Sequence, residues 1–152
     1  MEFLVLEVDH ARFGIPTADV HEVVRAVSLG DAPAQFPNMI GMLNFRGQVL
    51  GVLDSAFLQG RSNRELAPHE HLIILQGERQ LFALRVDQAI EIMTWTDGQE
   101  RTDTPVPDSA ENRWHAIGHP RFGIVFLLET ATLWSELHHK QSEQPTQEVE
   151  AR

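Results

Sequence analysis

The apolar residues of this chain occur in short runs separated by turn-forming residues, a pattern typical of β-strands rather than of long helices. Two such runs joined by a short turn predict a hairpin. Three pairs of runs have this form: Phe3–Val8 with Arg12–Ile15, Met42–Phe45 with Val49–Leu53, and His71–Leu75 with Leu81–Val86. Gly47 lies in the second turn, which needs its permissive backbone. The chain is therefore expected to be mainly β.

Three stretches carry a helical pattern instead. Valines at helical spacing predict a short helix over Val20–Arg25, although their β-branched side chains weaken it and a strand remains the alternative. Asp54-Ser55 can cap a second short helix, Ala56–Gln59. The last predicted helix, Thr130–His139, has an apolar face formed by Leu133, Trp134 and Leu137.

The two halves of the chain resemble each other in sequence. At an offset of 69 residues, the matched pairs include Phe13 with Phe82 and Glu22 with Glu91. At an offset of 75 residues, Val49–Asp54 lies over Ile124–Glu129. This similarity predicts a tandem duplication in which each half contributes about five short strands. Short strands at this spacing favour small barrels, so two barrels side by side are expected.

Two stretches lack an apolar pattern and are expected to lie outside the barrels. Thr94–Asn112 is polar and carries Pro105 and Pro107, which predicts an exposed connector. Residues 141–152 have almost no apolar side chains, so we predict a disordered tail.

Composition narrows the possible functions. A chain of 152 residues suits one domain or two small subdomains that share a core. Its net charge of -10 repels phosphate backbones and anionic lipids, which disfavours nucleic-acid binding. There is no cysteine and no apolar run long enough to cross a bilayer. We therefore expect a soluble intracellular protein that does not insert into membranes.

The histidines invite a metal-site interpretation, with His69, Glu70, His71, His115 and His119 as the best set. A helix holding both His115 and His119 is disfavoured, because a glycine lies between them and a proline follows. The sequence also lacks a nucleophile elbow, a phosphate-binding glycine loop and a zinc-protease motif. We expect no catalytic residues, no metal and no cofactor; a small metal-dependent or ligand-binding barrel enzyme is the remaining alternative.

Glu22 and Arg46 are charged residues on otherwise apolar elements. Arg46 lies between two strands that should be mostly buried, and an unpaired buried guanidinium is costly. We therefore predict that Glu22 and Arg46 meet in a partly buried ion pair. A Glu22 side chain that simply faces water is the alternative.

The second predicted hairpin also carries a family resemblance. Its positions Pro37, Ile40, Gly41, Asn44, Phe45, Arg46, Gly47, Val49, Val52, Leu53 and Asp54 form a pattern that resembles the CheW-like domain of bacterial chemotaxis coupling proteins. The resemblance implies one domain over residues 1–140, built from two intertwined five-stranded SH3-like barrels, the second mainly from about residues 69–128. It also implies partner-binding residues: Val20, Glu22, Arg46, Gly47 and Val52.

For function, the resemblance implies a cytoplasmic, non-catalytic adaptor that couples chemoreceptors to a histidine kinase. The implied partners are the cytoplasmic tip of a receptor and the regulatory domain of the kinase. Three positions depart from the family pattern: Phe45 replaces leucine, Gly51 replaces proline, and Ser55-Ala56 replaces a Leu-Arg pair. These departures leave open a scaffold of a non-flagellar system, such as one that controls a type IV pilus.

Overall fold

The computed structural model describes residues 1–55, 70–94, 101–102 and 115–140, which form eleven strands, one short 3-10 turn and one α-helix. The strands are β1 (Glu2–Val8), β2 (Ala11–Pro16), β3 (Val20–Arg25), β4 (Met39–Phe45), β5 (Gln48–Asp54), β6 (His71–Gln76), β7 (Leu81–Val86), β8 (Gln88–Thr94), β9 (Arg101–Thr102), β10 (His115–His119) and β11 (Gly123–Leu127). The helix α1 spans Thr130–Leu137. All three predicted hairpins are present, and the mainly-β prediction is confirmed.

The strands form two sheets that exchange elements between the halves of the chain. The first sheet has the order β8-β1-β2-β11-β10-β9, and the second has the order β3-β6-β7-β5-β4. The first sheet combines the hairpin β1-β2 with four strands of the second half, β8 to β11, and the second sheet combines the hairpin β6-β7 with three strands of the first half, β3 to β5. In both sheets a parallel contact joins the two halves, β2 to β11 and β7 to β5. The predicted duplication is therefore visible in the topology.

The hydrophobic core has three parts, because most strands bury both faces. A shared cluster between the sheets contains Leu4, Leu6, Phe13 and Ile15 of the first sheet and Leu53, Ile73, Leu75, Phe82 and Leu84 of the second. Each sheet also has an inner cluster of its own, around Leu50, Leu72 and Ile74 in the second sheet and around Phe3, Val5 and Val125 in the first. Alternate residues along one strand thus serve different clusters.

The helix predicted over Val20–Arg25 is wrong, and the strand alternative is correct. These residues form β3, which pairs antiparallel with β6 through Val23 opposite Ile73. Their burial alternates between half-buried and exposed, which is the period of a strand. Edge pairing with β6 suits β-branched side chains better than a single helical turn would.

The predicted last helix is confirmed, with Leu133 and Leu137 buried in the shared cluster. Trp134 packs on the β6-β7 turn so closely that a Cβ atom on Gly77 would overlap its ring. No helix among the described residues is long and apolar enough to cross a membrane. The predictions for 56–59, for most of the polar connector and for the tail at 141–152 concern residues outside the described ranges.

Candidate functional site

The turn between β4 and β5 presents Arg46 at one end of the second sheet. Phe45 pairs with Gln48, so Arg46 and Gly47 form a two-residue turn. Both have positive φ, 53° for Arg46 and 85° for Gly47, as the common hairpin turns require. The backbone N–H of Gly47 donates to Asn44 Oδ1 at 3.0 Å. Arg46 holds a left-handed backbone that is unusual for a residue with a side chain, a feature enriched at functional sites.

Glu22 and Arg46 do meet, as the sequence predicts. Arg46 Nη2 lies 2.7 Å from Glu22 Oε1. The prediction that the pair is partly buried holds for Glu22, whose side chain is 33% exposed, and is wrong for Arg46, whose side chain is 68% exposed. The reason is that Arg46 belongs to the turn itself and extends past the end of the buried strands. Its guanidinium lies over the ring of Phe45, 4.8 Å from the centroid.

This ion pair spans the two edges of the second sheet. Glu22 belongs to β3 and Arg46 follows β4, and these strands are the opposite edges of the sheet. A contact between them requires the sheet to curl strongly, as in an SH3-like barrel, although the backbone ladder is open within the described residues. The pair therefore lies where the two edges of the curled sheet meet, at one end of the second sheet's inner cluster.

We expect the coupling between Glu22 and Arg46 to be small, about 0.2–1 kcal/mol, because exposed ion pairs are screened by water. Urea unfolding of Glu22→Gln, Arg46→Gln and the double variant would measure it as a double-mutant cycle. A coupling above about 2 kcal/mol would show that the pair is desolvated in solution.

The other predicted site residues occupy different environments. Gly47 is exposed in the turn, and Val20 is half-buried against the shared cluster. Val52 is fully buried in the inner cluster of the second sheet, so it supports the turn from inside. Val49, on the same strand, is 62% exposed and therefore presents an apolar side chain to solvent.

A second ion pair repeats the first in the other sheet. Arg121 Nη1 lies 2.6 Å from Glu91 Oε2, and the guanidinium stacks 5.1 Å from the ring centroid of Phe122. Glu91 matches Glu22 at the offset of 69, and Arg121 matches Arg46 at the offset of 75. Sequence reasoning missed this pair; extending the second alignment three residues towards the N-terminus would have found it.

A buried cluster of charges lies inside the second sheet. The side chain of Arg85 is 0% exposed. Its Nε and Nη2 atoms donate to the two carboxylate oxygens of Glu70, at 3.2 and 2.7 Å. Its Nη1 atom donates to Asp54 Oδ1 at 3.0 Å, and Nη2 lies 3.6 Å from Asp87 Oδ1. We refer to Asp54, Glu70, Arg85 and Asp87 as the Arg85 cluster.

The Arg85 cluster joins the two sheets. The backbone N–H of Asp9, in the β1-β2 turn, donates to Asp87 Oδ2 at 2.8 Å. The carboxylate of Asp54, for which the sequence indicates a capping role, takes part through Oδ1. No prediction from sequence included Arg85; the available signal was a single cation inside the otherwise apolar run Leu81–Val86.

The histidines considered for a metal site make other contacts. His71 Nδ1 accepts from the backbone N–H of Ala89, and His119 Nδ1 accepts from those of Arg121 and Phe122. Glu70 binds Arg85, and His69 lies outside the described residues. Within the part of the chain that the structure describes, no three His, Cys, Asp or Glu side chains could hold a metal ion together.

Comparisons with known proteins agree on one family. The family model described as CheW-like domain matches residues 2–135. A relative from Rhizobium etli, described as a probable chemotaxis protein CheW, is 27% identical over 140 residues, which cover 89% of this chain and 88% of the relative. The crystal structure of the scaffolding protein TtCheW from Thermoanaerobacter tengcongensis has the same fold, with a TM-score of 0.73 at 21% identity. That match covers 87% of this chain and 86% of the other.

Proposed function

The chain belongs to the CheW-like domain family, and we propose that it is a non-catalytic cytoplasmic adaptor that couples chemoreceptors to a histidine kinase. The observation that carries this proposal is the repeated exposed Glu–Arg pair, once in each sheet. An adaptor must hold two partners at once, and two similar but non-identical surfaces on one chain suit that task.

Each pair is accompanied by exposed aliphatic side chains at matched positions. The first docking surface consists of Glu22, Val23, Arg46 and Val49, and the second consists of Glu91, Ile92, Arg121 and Ile124. Val49 lies on the face of β5 that carries Leu53 into the shared cluster, because side chains alternate along a strand. This apolar face of β5 is thus buried at Leu53 and exposed to solvent at Val49. Exposed aliphatic residues on the strands that flank a charged pair suit a protein contact at the sheet edge, with the charges setting orientation.

We assign the receptor tip to the first docking surface and the kinase regulatory domain to the second. The assignment follows the family resemblance, which implies that Glu22 and Arg46 lie close to the receptor-facing surface. Moderate affinity at each surface is sufficient, because an array of many such contacts gains avidity from their number.

Arg46→Glu is expected to weaken receptor binding by roughly tenfold or more, because it places two acidic side chains together at the first surface. Arg121→Glu is the matched control, which should weaken kinase binding and leave receptor binding nearly unchanged. Pull-downs from the native cell, with receptor and kinase probed separately, would measure both effects, and circular dichroism would check the fold. Recovery of neither partner by the unmodified protein, together with turnover of a small substrate, would refute the adaptor proposal.

Two of the three departures from the family pattern affect contacts inside the fold. A Cβ atom at Gly51 would lie 2.8 Å from Met39 Cε and 3.4 Å from Leu137 Cδ2, so a bulkier residue requires the end of the Met39 side chain to shift. Asp54 forms an ion pair with Arg85, not with an arginine that follows it closely in the sequence. These two departures therefore give no support to a different partner, and a chemotaxis pathway is our proposal ahead of a pilus system.

A further inference from the structure

We propose that His119 is a proton-sensitive latch, which loosens the second docking surface in acid and leaves the first docking surface unchanged. The inference rests on the proposed function, because it concerns how the second surface holds its partner. His119 is the last residue of β10 and precedes the turn that presents Arg121. Such a latch gives one adaptor two contacts that respond differently to pH.

The imidazole of His119 holds the β10-β11 turn through one ring nitrogen. Its Nδ1 atom accepts from the backbone N–H of Arg121 at 3.0 Å and from that of Phe122 at 3.3 Å. An imidazole nitrogen accepts only while it carries a lone pair, so the contact assigns a neutral ring with its proton on Nε2. The ring also packs against that of Phe122, with centroids 5.0 Å apart. This turn geometry therefore belongs to the neutral form of His119.

The internal repeat supplies independent support, because the first turn makes the same contact with a side chain that does not titrate. Asn44 matches His119 at the offset of 75, and Gly47 matches Phe122. In the first turn the backbone N–H of Gly47 donates to Asn44 Oδ1 at 3.0 Å. Both turns thus tie a backbone N–H to the side chain three residues earlier. An amide oxygen accepts throughout the physiological pH range, whereas an imidazole nitrogen stops accepting when it binds a proton.

Protonation turns the Nδ1 atom of His119 from an acceptor into a donor, so it then faces two backbone donors. Histidine side chains gain this proton between about pH 8 and pH 5. The neighbouring charges act in the same direction: Arg12 of β2 and Arg121 both lie against the ring of Phe122, while Glu91 of β8 pairs with Arg121. A protonated imidazole adds a third cation around that ring. The two hydrogen bonds of the turn are therefore present at neutral pH and are lost as the pH falls.

Opening of the turn acts directly on the second docking surface. Arg121 is both a backbone donor to His119 and, through Nη1, the partner of Glu91 Oε2 at 2.6 Å. When the backbone of Arg121 is released, its guanidinium is no longer held in one position beside Glu91. A partner that recognises this pair must then order it on binding, which lowers the affinity.

Two other histidines lie near the docking surfaces and must be separated from His119. His21 of β3 contacts the ring of Phe45 beside the first turn, where an asparagine makes the hydrogen bond. His71 accepts through Nδ1 from the backbone N–H of Ala89 at 3.3 Å, near the start of β8. Protonation of His71 should loosen β8 rather than the β10-β11 turn. The amides that respond to acid therefore identify the histidine responsible.

NMR of the full ¹⁵N-labelled chain tests the latch without any partner. Between about pH 8 and pH 6, we expect the amides of Arg121 and Phe122 to lose protection factor against hydrogen exchange. The ¹⁵N–¹⁵N coupling across the hydrogen bond from Phe122 to His119 should disappear over the same range. Gly47 in the first turn should keep its protection. Unchanged protection and coupling at the second turn would overturn the proposal.

Exchanging the two matched side chains gives the variants that identify the titrating group. His119→Asn retains an oxygen acceptor and removes the imidazole, so the second turn should become insensitive to pH. Asn44→His should transfer the pH dependence to Gly47. Circular dichroism would check the fold of both variants. A second turn that still opens in acid in His119→Asn would assign the response to another group and overturn the proposal.

Pull-downs from the native cell at about pH 7.5 and about pH 6 connect the latch to partner binding. At the lower pH, the unmodified chain should recover about three- to tenfold less kinase than His119→Asn does, because it has lost one or two hydrogen bonds. Receptor recovery should be the same for both chains. Comparing the chains at the same pH cancels any titration of the partners themselves.

The outcomes separate the latch from the adaptor function. Equal recovery of the kinase by the unmodified chain and by His119→Asn at the lower pH would overturn the inference. Recovery of neither partner by either chain at the higher pH would instead refute the proposed function, and the NMR titration would still decide whether His119 holds the turn.

Discussion

Replacing Arg85 with methionine is expected to lower the free energy of unfolding by about 3–5 kcal/mol. The substitution removes the buried guanidinium that Glu70 and Asp54, both about 1% exposed, contact. Removing one partner of a buried ion pair is far more costly than losing a surface ion pair. Methionine nearly preserves the volume of the side chain, so the loss reports electrostatics rather than a cavity.

Urea unfolding followed by circular dichroism would measure this loss. Arg46→Met is the matched control, since Arg46 is exposed and its removal should cost no more than about 1 kcal/mol. Combining Arg85→Met with Asp54→Asn and Glu70→Gln should recover part of the stability, because the stranded charges are removed together. An Arg85→Met variant as stable as the Arg46→Met control would mean that the buried charges are hydrated or neutralised by other groups.

The contrast between Arg46 and Arg85 shows what the sequence could predict about charges. The pairing of Glu22 with Arg46 followed from two isolated charges on apolar elements, and the contact is present at 2.7 Å. Its burial was predicted wrongly, because the two-residue turn moves Arg46 out of the sheet. Arg85 sits within a strand, where every neighbour is buried, and its ligands come from positions 15 and 31 residues away. Local spacing does not reveal such ligands.

The strands themselves were largely predictable, because alternation and turn residues are local signals. The exception was β3, where three valines fit both a helical face and an edge strand. Pairing with β6, from the other half of the chain, decided the matter in favour of the strand. Secondary structure there depends on a tertiary contact that propensity cannot anticipate.

The exchange of strands between halves was not predictable from the repeat alone. Two copies of one sequence unit can fold separately or can exchange elements, and the local patterns are the same in either arrangement. In this chain the hairpin of each half completes the sheet of the other. Both sheets even repeat one irregularity, a register shift at the edge strand, after Val20 in β3 and opposite Leu6 in β8. The duplication thus preserved the exchanged arrangement in detail.

This exchange leads to a prediction about unfolding as a whole. Phe82 and Phe13 are matched residues of the repeat, and both are buried in the shared cluster between the sheets. Phe82 also packs against Trp134 of α1, with ring centroids 5.3 Å apart. Phe82→Ala is expected to cost about 3–5 kcal/mol, through lost transfer free energy and the cavity left behind. Phe13→Ala should cost a similar amount, because its position in the other half is equivalent.

The loss should affect both sheets together, since neither sheet can form from one half of the chain. In Phe82→Ala, amide hydrogen exchange should therefore accelerate equally at Leu50, in the inner cluster of the second sheet, and at Val125, in that of the first. Urea unfolding should remain a single transition with an unchanged m value, whether followed by tryptophan fluorescence or by circular dichroism. Two separate transitions, with protection lost only at Leu50, would show that the sheets unfold independently despite the strands they exchange. Equal loss at both positions would mean that the shared cluster holds the two docking surfaces on one cooperative unit, as a rigid adaptor between two partners requires.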